Sequence, residues 1–404
     1  MKELKVLTKN FKTKKIIAKE INELLLKKTK NIFLSIKNNQ ICGSSPPEIF
    51  VGRIGYPNVF IGPIVPPLTE KTENFAFVEG WYGKSLWEIV EMRLQMLRGK
   101  KRLRVFQVNE RYALKLKEML LSRNSVYSEL KLKSFPSGFS FSEYHQPFGP
   151  SAILEDFFAS PSRTEFKLEK VFYDTDFKAS DAMFWLYEKE LPVSKIQQAM
   201  SAGMFGLERD RKFVPTRWSI TAVDDTLSKK MIEKIRYYPV IEEYRVYSGE
   251  YMKNKWVIIL IPRPWSYEFI EAWFPGTINE NLAIGGDYEL FKGKKEYAKI
   301  GGCYYASRFS TTEFLEREKI QATVIVLREV YKGYLPLGVW LTRESVRNIL
   351  KTKPFCFDSF DKTINFVGKS LYLPIKVWVE NSNLFKSLYT QKSIFNFLNK
   401  FCEI

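Results

Sequence analysis

The stretch Glu208–Asp225, ERDRKFVPTRWSITAVDD, holds the densest set of groups that could do chemistry. Arg211, Lys212 and Arg217 are cationic donors, and Thr216, Ser219 and Thr221 add hydroxyls, a combination suited to phosphate oxygens. Trp218 could stack on a base, while Asp210, Asp224 and Asp225 offer the hard oxygens that a magnesium or manganese ion takes. Structural duties compete for the same residues. Asp225 precedes a helical run, Thr226–Arg236, and could cap it; Trp218 could be core; Arg211 could only neutralise Asp210 or Glu208. A second candidate is Arg53, whose neighbours Gly52 and Gly55 would let a phosphate approach closely or could simply mark strand corners.

A third set closes the chain. In Gln391-Lys392-Ser393-Ile394-Phe395-Asn396-Phe397-Leu398, one helical turn brings Ile394, Phe397 and Leu398 to a single face. Three apolar prongs with Gln391 at their edge fit an apolar pocket on a partner, or else pack a terminal helix into its own core. The pattern resembles the binding box for the sliding clamp PCNA, Gln-x-x-aliphatic-x-x-aromatic-aromatic, with Leu398 where an aromatic is commonest.

The elements that must position these groups read as mixed α and β. A basic helix is expected over residues 12–30, where Ile16, Ile17, Ile21, Leu24 and Leu25 recur at helical spacing among lysines. Residues 42–67, rich in Gly and Pro between β-branched runs, predict an ordered but irregular segment. Leu86–Leu97 predicts an amphipathic helix stopped by Gly99, with Lys100, Lys101, Arg102 and Arg104 as charges suited to its C-terminus and a strand over Leu103–Val108. Trp256–Ile261 and Thr323–Leu327 predict buried strands. Helices and strands alternate too irregularly for a doubly wound sheet, so the expected class is α+β with mixed sheets and packed helices.

Composition bounds the rest. A net charge of +18 over 404 residues attracts phosphate backbones, although a lysine-rich thermophile surface has the same balance. The four cysteines, Cys42, Cys303, Cys356 and Cys402, form no Cys-x-x-Cys pair, which excludes a zinc ribbon and fits a reducing cytoplasm. No signal peptide, membrane span, phosphate loop, dinucleotide fingerprint or zinc-protease helix is present, and the lone His145 stands in a loop with nothing to suggest a catalytic triad.

CGSSPPEIFVGRIGYPNVFIGP, DRKFVPTRWSITAVDD, IGGDYELF and LGVW together resemble the archaeal Nre (NreA-type) DNA repair proteins, from about Cys42 to the tail. The resemblance implies a cytoplasmic DNA-damage-response protein recruited to the clamp. It also implies a larger N-terminal region (1–280), a smaller C-terminal one (281–385) and a flexible tail (386–404) carrying the box at 391–398. Many relatives carry several early cysteines suggestive of zinc; here only Cys42 remains, which argues against a zinc site. The expected partners are therefore PCNA and DNA, with no membrane. The alternative is a metal-dependent nuclease or nucleotide-processing enzyme using Asp210, Asp224 and Asp225, for which no catalytic motif stands in the sequence.

Overall fold

The computed structural model describes residue 36 and residues 39–277 and 280–390. The basic helix expected over 12–30 and the clamp box at Gln391–Leu398 lie outside the described residues. Within them the chain forms two six-stranded mixed sheets and eleven helices, an α+β protein as expected. It divides into two compact units, one built from residues 39–230 with 335–344, the other from 231–334 with 345–390.

The first unit's sheet runs β1 (Gln40–Ser45), β5 (Val126–Leu132), β6 (Ser151–Ala159), β4 (Leu97–Arg104), β3 (Asn58–Val65), β2 (Ile49–Val51), antiparallel except for the β4–β6 pair. Burial alternates strictly along β5, so one face is packed and the other meets solvent. The helices are α1 (Leu86–Leu94), α2 (Arg111–Leu121), α3 (Phe166–Tyr173), α4 (Ala179–Glu188), α5 (Val193–Ser201) and the long α6 (Thr216–Ile235). Ser85 opens α1 with a capping box, its hydroxyl accepting from Glu88 N while the Glu88 carboxylate accepts from Ser85 N.

Two sequence expectations shift here. α1 ends at Leu94, and Gly99 is not a helix stop but a mid-strand residue. Its missing side chain has a packing reason: a Cβ would come within 2.7 Å of Leu154, and one on the adjacent Gly62 would sit 1.8 Å from the Gly99 carbonyl. Likewise α6 begins at Thr216, so Asp225 lies inside the helix and caps nothing.

Residues 335–344 complete this unit. Gly338, at φ 102°, lies so close to the backbone of His145 that a Cβ would meet its carbonyl carbon at 2.6 Å. Trp340, at the start of α8 (Trp340–Ile349), meets Trp81 edge-on at 5.0 Å, and both rings are fully buried.

The second unit's sheet runs β10 (Ala283–Glu289), β9 (Ser266–Trp273), β11 (Thr323–Val330), β8 (Asn254–Ile261), β7 (Tyr244–Tyr251), β12 (Phe355–Phe357). The apolar runs read from sequence are its two central neighbours, β8 and β11. α7 (Gly302–Glu318) buries Arg308 against Glu289 at 2.6 Å. Val257, Ile259, Ile325 and Leu327 pack in one cluster with Val367 of α9 (Phe360–Ser370), Trp378 of α10 (Ile375–Asn381) and Phe385 of α11 (Asn383–Thr390). Glu268 of β9 anchors the start of α11 by accepting from the Ser382 hydroxyl and from the backbone N–H of Asn383 (2.7 Å) and Leu384 (3.0 Å).

Candidate nucleic-acid interface

The solvent face of the first sheet carries a row of cations on β4. Strand alternation puts Lys100, Arg102 and Arg104 on that face about 7 Å apart. Register sets Arg102 beside Phe60, Arg104 beside Asn58 and Lys100 beside the exposed Ile153. At the buried end of the row, Arg98 lies over the Phe50 ring at 4.4 Å and donates to the Phe60 carbonyl at 2.8 Å. Lys100 is held below the ordinary lysine range by partial burial and then by the neighbouring Arg98 charge.

The hairpin between β2 and β3 extends the row. Gly55, at φ 83°, turns the chain so that Asn58 N bonds the Gly55 carbonyl at 2.8 Å, leaving Arg53 and Ile54 exposed at the tip. Tyr56 then meets Trp218, on the first turn of α6, at a ring distance of 5.2 Å; both are partly exposed. The adjacent Arg217 stacks its guanidinium on Tyr144 at 3.3 Å. Among the described residues, Arg53, Arg102, Arg104, Lys212 and Arg217 have no carboxylate within ion-pair distance. Cations spread along a strand and a loop beside exposed aromatic rings are suited to phosphates and bases.

The other sequence candidates hold the fold. The Arg211 guanidinium donates to the carbonyls of Gly206 (2.9 Å) and Phe172 (2.7 Å) and to that of Asp174, closing the C-terminal end of α3. Thr216 is buried, and its hydroxyl accepts from Val51 N at 2.9 Å, while Gln198 on α5 accepts from Ile49 N at 3.0 Å. Together they satisfy the outward N–H groups of edge strand β2. Ser219 donates to the Thr216 carbonyl at 3.0 Å within the helix. Lys212 is exposed in the loop before α6.

The three aspartates do not converge. Asp210 is exposed on a short turn, 3.9 Å from Arg209, and Asp225 pairs with Lys229 at 2.7 Å. Asp224 is fully buried; it accepts from Arg343 Nη1 at 3.0 and 3.2 Å and from Gln197 Nε2 at 3.0 Å. Among the described residues no group of three or more His, Cys, Asp or Glu is placed to hold a metal ion. The carboxylates therefore favour structural roles over the metal-dependent reading.

His145 is neutral in the fold: its Nδ1–H donates to the Gln146 carbonyl at 2.8 Å, and its ring stacks on Phe148. Burial, with Arg98, Arg93 and Arg217 nearby, lowers its pKa from 6.5 to about 4, against the Gln146 bond. Between those values the unfolded chain takes up a proton that the folded chain refuses. This contribution is therefore complete above about pH 6.5 and is lost as the pH falls toward 4, by up to about 3 kcal/mol. Urea unfolding at pH 7.5 and 4.5 should show a loss of stability that is smaller in His145→Gln.

These features define a two-unit α+β protein with an open, cation-bearing sheet face. The chain belongs to the archaeal Nre family: the family models described as Archaeal Nre, N-terminal and Archaeal Nre, C-terminal match residues 21–279 and 289–397. The DNA repair protein NreB of Archaeoglobus fulgidus is 44% identical over 352 residues, covering 86% of this chain and 89% of that one. The DNA repair protein NreA of the same organism is 35% identical, covering 82% and 85%. The DNA repair protein NreA of Haloferax volcanii is 30% identical, covering 85% of each. No solved structure matches the chain.

Proposed function

We propose that this protein is a cytoplasmic DNA repair factor that lies on DNA through the open face of its first sheet and is recruited to the sliding clamp by residues 391–398. The repair role follows the names of relatives that align along most of both chains. The observation that carries DNA binding is Arg102 and Arg104 of β4 with Arg53, cations exposed to solvent and without carboxylate partners among the described residues. Such a row engages phosphates whatever the base sequence, while Trp218 and Tyr56 at its end offer rings to an unstacked base. Clamp recruitment rests on the spacing of Gln391, Ile394, Phe397 and Leu398 alone. A weak contact with DNA gains from a second attachment on the same duplex, because the tether raises the effective concentration. Among the described residues no helix is long and apolar enough to cross a membrane.

The test is the salt dependence of binding to a fluorescent duplex between 50 and 200 mM salt, roughly the range over which phosphate contacts weaken most visibly. Each phosphate contact contributes about 0.9 to the slope of log K against log salt. Arg53→Ala, Arg102→Ala and Arg104→Ala combined should therefore flatten the slope by about 2 to 3 and lower affinity alike for all sequences. An unchanged slope would remove this face from the interface.

A further inference from the structure

The first unit also contains a cavity of about 340 Å³, and none of the cations of the β4 row lines it. Phe77, Arg123 and Asn124 stand exposed at its rim, while Glu73, Glu165, Lys195 and Gln198 line it further in. The N-terminal turn of α5 holds the inner wall in place: Ser194 donates from both its backbone N (2.8 Å) and its hydroxyl (2.7 Å) to the carboxylate of Glu79.

Two groups on that wall point to a ligand. Gln198 is nine-tenths buried and spends its Oε1 on Ile49 N; among the described residues its Nε2 donates to nothing, although it lines the cavity. That amide N–H therefore faces the cavity, where it can donate to a ligand oxygen. One turn earlier, Lys195 donates to the Ser122 carbonyl at 2.8 Å and has no carboxylate within ion-pair distance among the described residues. Desolvation brings its pKa down to about 7, the Glu165 charge pulling the other way. Lys195 is half-buried, and the shift moves its amine toward the unprotonated, nucleophilic form.

We propose that the cavity is a carbonyl-condensing site, in which the Lys195 amine attacks the aldehyde of an open-chain deoxyribose. The Nζ lone pair forms a bond to the aldehyde carbon, and the carbonyl electrons move to oxygen, which takes up the proton that nitrogen sheds. The carbinolamine then loses its hydroxyl as water and becomes an imine. The balance is amine plus aldehyde to imine plus water, with no redox change. Glu165 supplies a carboxyl group to pass the proton to the departing hydroxyl, Gln198 donates to a sugar oxygen, and Arg123 at the rim suits a sugar phosphate. The aldehyde could belong to an abasic site in DNA or to a free sugar phosphate. The choice of the abasic site rests on the DNA-repair reading; the condensation itself does not.

The test incubates the full chain either with a duplex carrying one abasic site or with free deoxyribose 5-phosphate, reduces with borohydride, and maps adducts by mass spectrometry. The expected result is an adduct on the peptide containing Lys195, its yield rising through about pH 7. Lys195→Arg keeps a donor to the Ser122 carbonyl yet cannot form the imine. It should lower the yield at least tenfold with an unchanged circular dichroism spectrum. Adduct with the abasic duplex, alone or with the free sugar phosphate, supports the site acting on DNA. Adduct with the free sugar phosphate only keeps the condensing site and removes DNA as its substrate. No adduct in either arm, or yield unchanged in Lys195→Arg, overturns the proposal.

Discussion

Replacing Asp224 with alanine should lower the unfolding free energy of the first unit by roughly 3–5 kcal/mol, read as a shift of its urea midpoint. The carboxylate is fully buried and its partner Arg343 nearly so. Both have already lost hydration, and removing Asp224 leaves Arg343 buried with Glu344, 3.3 Å from its Nε, as a charged partner. The Gln197 amide, which donates to the same carboxylate at 3.0 Å, would lose that acceptor too. Converting both residues to leucine, Asp224→Leu with Arg343→Leu, should restore only part of the loss, because the buried Glu344 then loses its arginine partner. This pattern separates structure from catalysis. If Asp224→Ala kept full stability while abolishing a metal-dependent reaction, the carboxylate would be a ligand and its pairing with Arg343 incidental.

Phe397→Ala should abolish co-purification with the clamp while leaving the circular dichroism spectrum and urea midpoint unchanged. A central aromatic anchor of a small interface is worth about 2–4 kcal/mol, a fall in affinity of roughly thirtyfold to a thousandfold. The segment begins one residue after α11, whose first turn is held by the Glu268 carboxylate, so the chain entering it leaves from a fixed point. Isothermal titration of the full chain with the clamp, wild type against variant, gives the number. Undiminished affinity would mean that residues 391–398 are not the contact.

Legibility followed the range of the interactions. The strands at β8 and β11 were readable because continuous β-branched runs bury on both faces whatever lies elsewhere. The start of α1 at Leu86 was readable for a similarly local reason, since its amphipathic period is set by near neighbours, whereas the Ser85–Glu88 cap was not read. The basic cluster after α1 misled, because a glycine following a periodic run stops a helix as readily as it fills a crowded strand position. Only the neighbouring Leu154 and Gly62 decide between them, and both are distant in sequence.

The segment at Glu208–Asp225 misled in another way. Its hydroxyls and charges are as dense as a binding site requires, yet Thr216 satisfies a sheet edge and Arg211 closes a helix end. Asp224 answers an arginine 119 positions further on. Polar groups that solve such distant problems look the same in sequence as polar groups that hold a ligand. Lys195 carried no local signal at all, since its desolvation comes from elements far from it in the chain.

The strap at 335–344 bears on how the chain is made. A ribosome that has delivered everything up to residue 334 has not yet delivered the arginine that answers Asp224 or the tryptophan that meets Trp81. Until then the growing polypeptide carries a buried acid without its arginine and an indole without its facing ring, a form open to proteases and to aggregation. Cutting the gene at the border between the two family models would freeze that unfinished form, so a fragment ending at residue 279 should be poorly soluble. Supplying a peptide that contains Leu335–Glu344 in trans should rescue only a shorter fragment ending at residue 230, which carries none of the second sheet.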